Sequence, residues 1–273
     1  MNSIQITIEA DEEKQEILIS ELSDLGAQGF EQTENYLIAY FNENSFSSYE
    51  VNDLLKNYSF TSQVIEEKNW NEEWESNFQP VIVNNFCAIR AEFHSPVPNA
   101  EHQIIITPKM SFGTGHHATT YMMIEQMSEI DFRNKTVFDF GTGTGILSIL
   151  AEKLGASKIE AIDIDDWSIA NAKENIEKNH CSKISVTLSS QIPVEKFDII
   201  LANINRNILL GYMPALCQSL KENGNLLLSG LLASDEKDMM DVCLKKKLKL
   251  VKIVERNAWI SLLFIKGYKL GLI

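Results

Sequence analysis

The 273 residues predict an α/β chain, a doubly wound sheet of seven strands behind a small N-terminal α+β domain. Three observations carry this. Residues 1–65 run strand, helix, strand, strand, helix, strand, the order of a ferredoxin-like unit. From residue 104 onward, β-branched apolar runs alternate with helical stretches, the pattern of strands covered on both faces by crossover helices. Within that second region stands Thr136-Val137-Phe138-Asp139-Phe140-Gly141-Thr142-Gly143-Thr144-Gly145, an apolar run that ends in an acid and a glycine-rich turn.

Each element has a local reason. Ser3-Ile4-Gln5-Ile6-Thr7-Ile8 alternates polar and apolar with the period of a half-buried strand. Residues 12–25 carry Ile17, Leu18, Leu22 and Leu25 at helical spacing, and Gly26 is the stop. Residues 30–34 and 36–41 make a strand pair. Residues 47–57 make a second helix with Val51, Leu54 and Leu55 inward, and 60–65 a further strand. The charged segment 66–74 holds Trp70 and Trp74 four apart, on one face of a short helix, where packing is favoured over ligand contact. A strand is expected at 86–93, and Ser95-Pro96-Val97-Pro98-Asn99 is a break. These boundaries give an acidic domain at 1–66, a linker region at 67–100 and the main domain at 101–273. In the main domain, strands are expected at 136–140, 158–163, 184–188, 197–202, 225–229, 248–254 and 261–265. Helices follow over 146–154 and 168–179, and another begins near Thr119.

Composition narrows the class. With 44% apolar and 23% charged residues, the chain is ordinary for a globular protein. It has no run of about 18 apolar residues that would span a membrane. Met1-Asn2-Ser3-Ile4-Gln5-Ile6-Thr7 lacks the basic and apolar regions of a signal peptide, so a cytoplasmic location is expected. Cys87, Cys181, Cys217 and Cys243 are scattered, which fits reduced thiols and neither a disulfide framework nor a zinc site. The net charge of −14 is unevenly placed. Residues 1–80 hold 17 acidic side chains and three basic ones, Lys14, Lys56 and Lys68, while acids and bases balance in 81–273. Such a field disfavours nucleic acid as a direct partner and attracts a basic one.

The chemistry gathers at strand ends. Gly141 and Gly143 let the backbone turn and approach a ligand where a Cβ would collide, and the helix from Ile146 opens its amides toward the same place. Asp163 ends the second strand 22 positions after Gly141, placed to accept hydrogen bonds from ribose hydroxyls, whereas Asp165 or Asp166 suits the cap of the next helix. A dinucleotide and S-adenosylmethionine both carry such hydroxyls, so these residues alone leave the cofactor open. Asn203 emerges from the fourth strand with both an acceptor and a donor. A second glycine block, Phe112-Gly113-Thr114-Gly115-His116-His117-Ala118-Thr119-Thr120, precedes a helix and offers amides and hydroxyls for capping or cofactor contact. Adjacent histidines rarely share a metal, and no cysteine or carboxylate is spaced to assist them, so no metal site is expected.

These residues resemble a known family. Asp139-Phe140-Gly141-Thr142-Gly143-Thr144-Gly145, Asp163-Ile164-Asp165 and Asn203 are similar to the motifs of class I S-adenosylmethionine-dependent methyltransferases. With the Phe112–Thr120 block, the tryptophan-bearing segment and the acidic first domain, nearly the whole chain resembles the ribosomal protein L-eleven methyltransferase family (PrmA type). Ala118 stands where that family's block usually has proline, Thr142 and Thr144 where cysteine and serine are commoner, and Asn205-Arg206 where Leu-Ala is commoner. The resemblance implies a Rossmann-like methyltransferase sheet with S-adenosylmethionine as cofactor. It implies Thr120, Gly141, Asp163 and Asn203, with Gly143 of the same turn, as cofactor-binding positions. It further implies a monomer whose acidic first domain holds a lysine-rich ribosomal protein, L-eleven, as substrate.

The implied reaction is attack of an amine nitrogen on the cofactor methyl group. A lysine of pKa ~10.4 must shed a proton at a cost of roughly 4 kcal/mol near neutral pH, and an α-amino group of pKa ~7.8 at under about 1 kcal/mol. A partly apolar, aromatic-lined site lowers the lysine cost. Positioning is then expected to dominate, with no evident general base and with Asn203 aligning the amine. Rival readings fit less well. Amide- and adenine-modifying methyltransferases resemble a class with Asn/Asp-Pro-Pro-Tyr at the fourth strand end, where this chain has Asn203-Ile204-Asn205-Arg206. A nicotinamide-dependent oxidoreductase prefers Gly-x-Gly-x-x-Gly. A cofactor-binding adaptor would bind without transferring methyl.

Overall fold

The computed structural model describes residues 3–65, 78–108 and 114–267 and forms two compact units, Met1–Ser76 and Asn77–Ile273. Trp70 and Trp74, and Phe112 and Gly113 of the second glycine block, lie outside the described residues.

The first unit runs β1 (Ser3–Glu9), α1 (Glu12–Asp24), β2 (Ala27–Gln32), β3 (Tyr36–Asn42), α2 (Ser48–Leu54) and β4 (Phe60–Ile65). Its sheet order is β2-β3-β1-β4 with every pair antiparallel, the ferredoxin-like arrangement. Alternation fixes the register. Ile4, Ile6 and Ile8 of β1 point into the core with Leu37, Ala39 and Phe41 of β3, against Leu18 and Leu22 of α1 and Val51 and Leu55 at α2. Asp11 caps α1 by accepting from the Lys14 N–H at 3.0 Å. Ile17 was expected inward and is instead 55% exposed. Leu18, Leu22 and Leu25 already make a stripe at i, i+4 and i+7, and Ile17 lies about 100° around the helix from it.

The second unit opens with a three-stranded sheet, β5 (Val81–Val83), β6 (Cys87–Ala91) and β7 (His102–Ile106). There follow α3 (Ala118–Met127), β8 (Thr136–Phe140), α4 (Ile146–Lys153), β9 (Lys158–Asp163), α5 (Asp166–Lys178), β10 (Ile184–Leu188), β11 (Phe197–Asn203), α6 (Arg206–Ser219), β12 (Leu220–Leu232), α7 (Glu236–Lys245), β13 (Leu248–Arg256) and β14 (Trp259–Lys266). The large sheet has the order β10-β9-β8-β11-β12-β14-β13. It is parallel except for β14, which pairs antiparallel with both neighbours.

The near-continuous apolar runs split between two cores by the period of two. Val137, Ile199, Leu201, Leu227 and Leu263 enter one, and Phe138, Ile200, Leu226, Leu228 and Leu262 the other. The chain winds from β8 outward to β10, then returns to β11 on the other side of β8. That reversal opens a crevice at the carboxyl ends of β8 and β11, where ligands of open α/β sheets bind.

Candidate active site and cofactor seat

A cavity of about 430 Å³ opens at these strand ends, within the ~300–1,000 Å³ usual for small-molecule sites. One wall is the turn between β8 and α4. Gly141, Gly143 and Gly145 all have positive φ, of +76°, +55° and +81°. At Gly141 a Cβ would also stand 2.5 Å from Ile204 Cγ2, so a side chain is excluded by conformation and by space. The turn is braced from behind. Asn175 Nδ2 donates to the Thr144 carbonyl at 2.8 Å, and Asn175 Oδ1 accepts from the Thr107 N–H at 2.8 Å.

Asp139, wholly buried beneath the turn, accepts from the Thr142 and Ser148 hydroxyls at 2.7 Å each. Burial pushes its carboxyl up to about 6, and those two hydroxyls pull the other way. Its second oxygen, Oδ1, has no hydrogen-bond partner among the described residues.

Asp163, at the end of β9, lines the same cavity. Its Oδ2 accepts from the Gly143 N–H at 2.9 Å, and its Oδ1 from the N–H groups of Ile164 and Asp165 at 2.8 and 3.1 Å. Three backbone donors lock the rotamer and leave about one of a carboxylate's roughly four acceptor positions open. The cap of α5 falls to Asp165, which accepts from the Ser168 N–H at 2.9 Å.

Asn203 ends β11, the strand paired with β8, beside the glycine turn, and is 7% exposed. Its Nδ2 donates to Thr120 Oγ1 at 3.3 Å, while its Oδ1 has no partner among the described residues. An unsatisfied acceptor on the lining of a cavity is what a ligand N–H completes. Thr120, in the first turn of α3, is buried behind Asn203. It borders a small adjoining space shared with Gly141, Gly143 and Asn203. The structure therefore brings Gly141, Gly143, Asp163 and Asn203 onto one cavity, with Thr120 joined to it through Asn203.

Of the further lining residues, Gly230 and Trp259 carry no motif in the sequence, while His117 belongs to the second glycine block. Gly230 has φ +83°, and a Cβ there would meet the Ile204 carbonyl oxygen at 2.4 Å, so the end of β12 presses backbone to backbone against the β11–α6 loop. Trp259 and His117 line the rim, their rings edge to face with centroids 4.8 Å apart. His117 also caps α3, its Nδ1 3.3 Å from the Thr119 N–H. Among the described residues no group of three or more His, Cys, Asp or Glu is placed to hold a metal. The cysteines are free thiols; Cys87, Cys217 and Cys243 are buried and Cys181 is partly so.

The donors and acceptors fit S-adenosylmethionine. Asp163 stands at the strand end where an acid for ribose hydroxyls is expected, the Gly141–Gly145 turn leaves no room for a Cβ at Gly141, and Asn203 Oδ1 has no partner among the described residues. The antiparallel β14, inserted between β12 and β13, departs from the 3-2-1-4-5-6 dinucleotide order. This is an S-adenosylmethionine-dependent protein methyltransferase.

The family described as "Ribosomal protein L11 methyltransferase (PrmA)" matches residues 2–267, and the chain belongs to it. A relative named ribosomal protein L11 methyltransferase in Porphyromonas gingivalis is 40% identical over 262 residues, covering 91% of this chain and 90% of the relative. One of the same name in Chlorobaculum tepidum is 36% identical over 278 residues, with 96% of each chain covered. The crystal structure of a ribosomal protein L11 methylase from Lactobacillus delbrueckii subsp. bulgaricus superposes with a TM-score of 0.65. It is 30% identical and covers 70% of this chain and 100% of that one.

Proposed function

We propose that this enzyme methylates amino groups of ribosomal protein L11, on lysine ε-nitrogens, the N-terminal α-nitrogen or both. The observation that carries the reading is Asn203 Oδ1, a buried, uncharged acceptor without a partner among the described residues, on a side chain that lines the cavity beside the glycine turn. S-adenosylmethionine, when bound, supplies a sulfonium-activated methyl group. Gly141, Gly143, Asp163 and Thr120 hold that cofactor, and Asn203 takes an N–H of the cofactor or of the incoming amine. Trp259 and His117 give the rim an aromatic surface that strips water from the amine and so favours its neutral, attacking form.

The first unit supports the choice of substrate. We read residues 1–66 as the recognition domain and 67–100 as the linker, because the excess negative charge lies in residues 1–80 and suits a lysine-rich ribosomal protein. No described helix is long and apolar enough to cross a membrane. In this reading the enzyme works in the cytoplasm as a monomer, without nucleic acid or membrane as a direct partner. Incubation with labelled S-adenosylmethionine and purified ribosomal protein L11, followed by mass mapping, tests it. Label on lysine or N-terminal amines is expected, and label confined to another protein overturns the substrate assignment.

A further inference from the structure

We propose that Arg206 is a positioning residue, clasping the acceptor wall of the active site together through Asp235 and Asp238. It stands one turn beyond Asn203, as the first residue of α6. Its guanidinium pairs with Asp238, and its Nε lies 3.5 Å from Asp235 Oδ1. Both acids sit at the start of α7, on the connection that leaves β12. A cation at the first position of a helix faces that helix's own amide dipoles, so the arginine is poorly placed to stabilise α6 itself. Its partners lie on a different segment, and the pairing bridges the β11–α6 and β12–α7 connections.

Those connections carry the cavity wall. Ile204 N–H donates to the Ser229 carbonyl at 3.2 Å, and Gly230 packs against the Ile204 backbone. Asp235 Oδ2 accepts from the Leu232 N–H at 2.9 Å. Ala233 N–H donates to the Ala258 carbonyl at 2.9 Å, next to Trp259. One forked side chain thus ties together the segments bearing Asn203, Gly230 and Trp259, all of which line the cavity. The wall with Gly143 and Asp163 has bracing of its own in Asp139 and Asn175, although Gly141 at its start packs against the Ile204 side chain. Removing Arg206 therefore loosens the side that receives the amine and spares the side that holds the nucleoside. This division rests on the functional reading above and takes, of the two roles given there to Asn203, that of acceptor for the incoming amine.

Two measurements on the full-length enzyme test the clasp. The first needs no substrate. In Arg206→Ala, hydrogen–deuterium exchange should accelerate at the amides of Ile204, Leu232 and Ala233, and stay as in wild type at Gly143, whose N–H is held by Asp163. Unchanged exchange at those three amides overturns the proposal. The second is kinetic, with ribosomal protein L11 as acceptor. Arg206→Ala should lose about tenfold in kcat/KM for the acceptor, as a sub-ångström misplacement would cost, with S-adenosylmethionine affinity held within twofold. Arg206→Lys, which keeps charge but not the fork, should fall between, and the reversed pair Arg206→Asp with Asp238→Arg should recover most of the loss. Wild-type turnover in Arg206→Ala, a parallel fall in cofactor affinity, or no rescue by the reversed pair would each overturn it. If the wild type leaves ribosomal protein L11 unmethylated, the substrate reading fails while the exchange result still decides the clasp.

Discussion

Replacing Asn203 by alanine removes one donor and one acceptor whose fates in the structure are unequal, and this makes the outcome calculable. The donor, Nδ2, is spent on Thr120 Oγ1 at 3.3 Å. This is a long, neutral hydrogen bond, and its loss costs fold stability no more than about 1 kcal/mol. For a unit of this size that is a fall of about 2–4 °C in melting temperature. The acceptor, Oδ1, makes no bond among the described residues. Its deletion therefore costs the fold nothing further and relieves an unsatisfied buried atom.

What Oδ1 contributes is realised only with a ligand. A hydrogen bond to a charged N–H, such as the cofactor's ammonium, is worth about 1.5–3 kcal/mol, or roughly 10- to 150-fold, and one to a neutral amine about 0.5–1.5 kcal/mol, or roughly 2- to 12-fold. Asn203→Ala should accordingly melt within a few degrees of wild type while losing roughly 10- to 150-fold in S-adenosylmethionine affinity or roughly 2- to 12-fold in kcat. Calorimetric titration with the cofactor separates the two, because an oxygen that serves the cofactor lowers affinity and one that serves the amine lowers kcat alone. A variant with wild-type affinity and turnover would refute the reasoning. A collapse in stability comparable to the functional loss would show that the orphaned oxygen had been misjudged.

Three further outcomes are expected. Gly230→Ala combines a disfavoured φ with a 2.4 Å approach to the Ile204 carbonyl. It should destabilise the enzyme by about 2–6 kcal/mol, and a melting temperature within 2 °C of wild type would contradict the strain argument. Asp139 titrates near 6 in the fold against an ordinary value of 3.8. The folded state thus holds its proton more tightly, and stability from this group falls as pH rises from about 4 to 6. Asp139→Asn escapes that loss, so its stability relative to wild type should climb by on the order of 3 kcal/mol across that window and then level off. Denaturant titrations at several pH values would expose a flat or opposite trend. Deleting Met1–Ser76, the first compact unit, should leave S-adenosylmethionine binding intact and abolish methylation of ribosomal protein L11. Retained methylation would remove the recognition role from that unit.

Legibility in the sequence followed the physics of each signal. Strands β8, β9 and β10 begin and end where expected. β8 is buried after Thr136, whereas β9 admits Lys158 and Glu160 and the edge strand β10 exposes Ser185 and Thr187, so those two are marked by β-branched residues recurring between turn signals. β12 starts five residues earlier than its apolar run, at Leu220, passing through Asn223 at φ +60° and Gly224. Those residue types ordinarily mark a turn, and the ladder passes over them: β11 pairs with Leu220 and resumes at Asn225 after a register shift, and the pairing with β14 starts at Asn225. The short β5 and β7 carry weaker signals: Val81–Val83 is only three residues long, and the apolar residues of His102–Ile106 form the run Ile104-Ile105-Ile106, which shows no alternation. At the site, Gly141, Gly143, Asp163 and Asn203 were legible because each follows a recognisable strand. Gly230 and Trp259 were not. They reach the cavity through a bulge between Leu228 and Leu231 and through the antiparallel insertion of β14, which are properties of the assembled sheet.

The distribution of charge bears on how such an enzyme reconciles attraction with reactivity. A carboxylate beside the reacting nitrogen would bind a lysine well and methylate it poorly, because it holds the amine in its protonated form, which has no lone pair. Among the described residues lining the cavity the one carboxylate is Asp163, already engaged by three backbone N–H groups on the nucleoside side. In the proposed reading, the uncharged oxygen of Asn203 and the aromatic edges of Trp259 and His117 align a neutral amine without raising its pKa. The same reading assigns the attraction to residues 1–80, with 17 acids against three bases, while residues 81–273 are balanced. Long-range steering needs net charge but no particular contact, whereas methyl transfer needs a particular contact and is hindered by negative charge. Carrying the two on different parts of one chain lets each be strong without weakening the other.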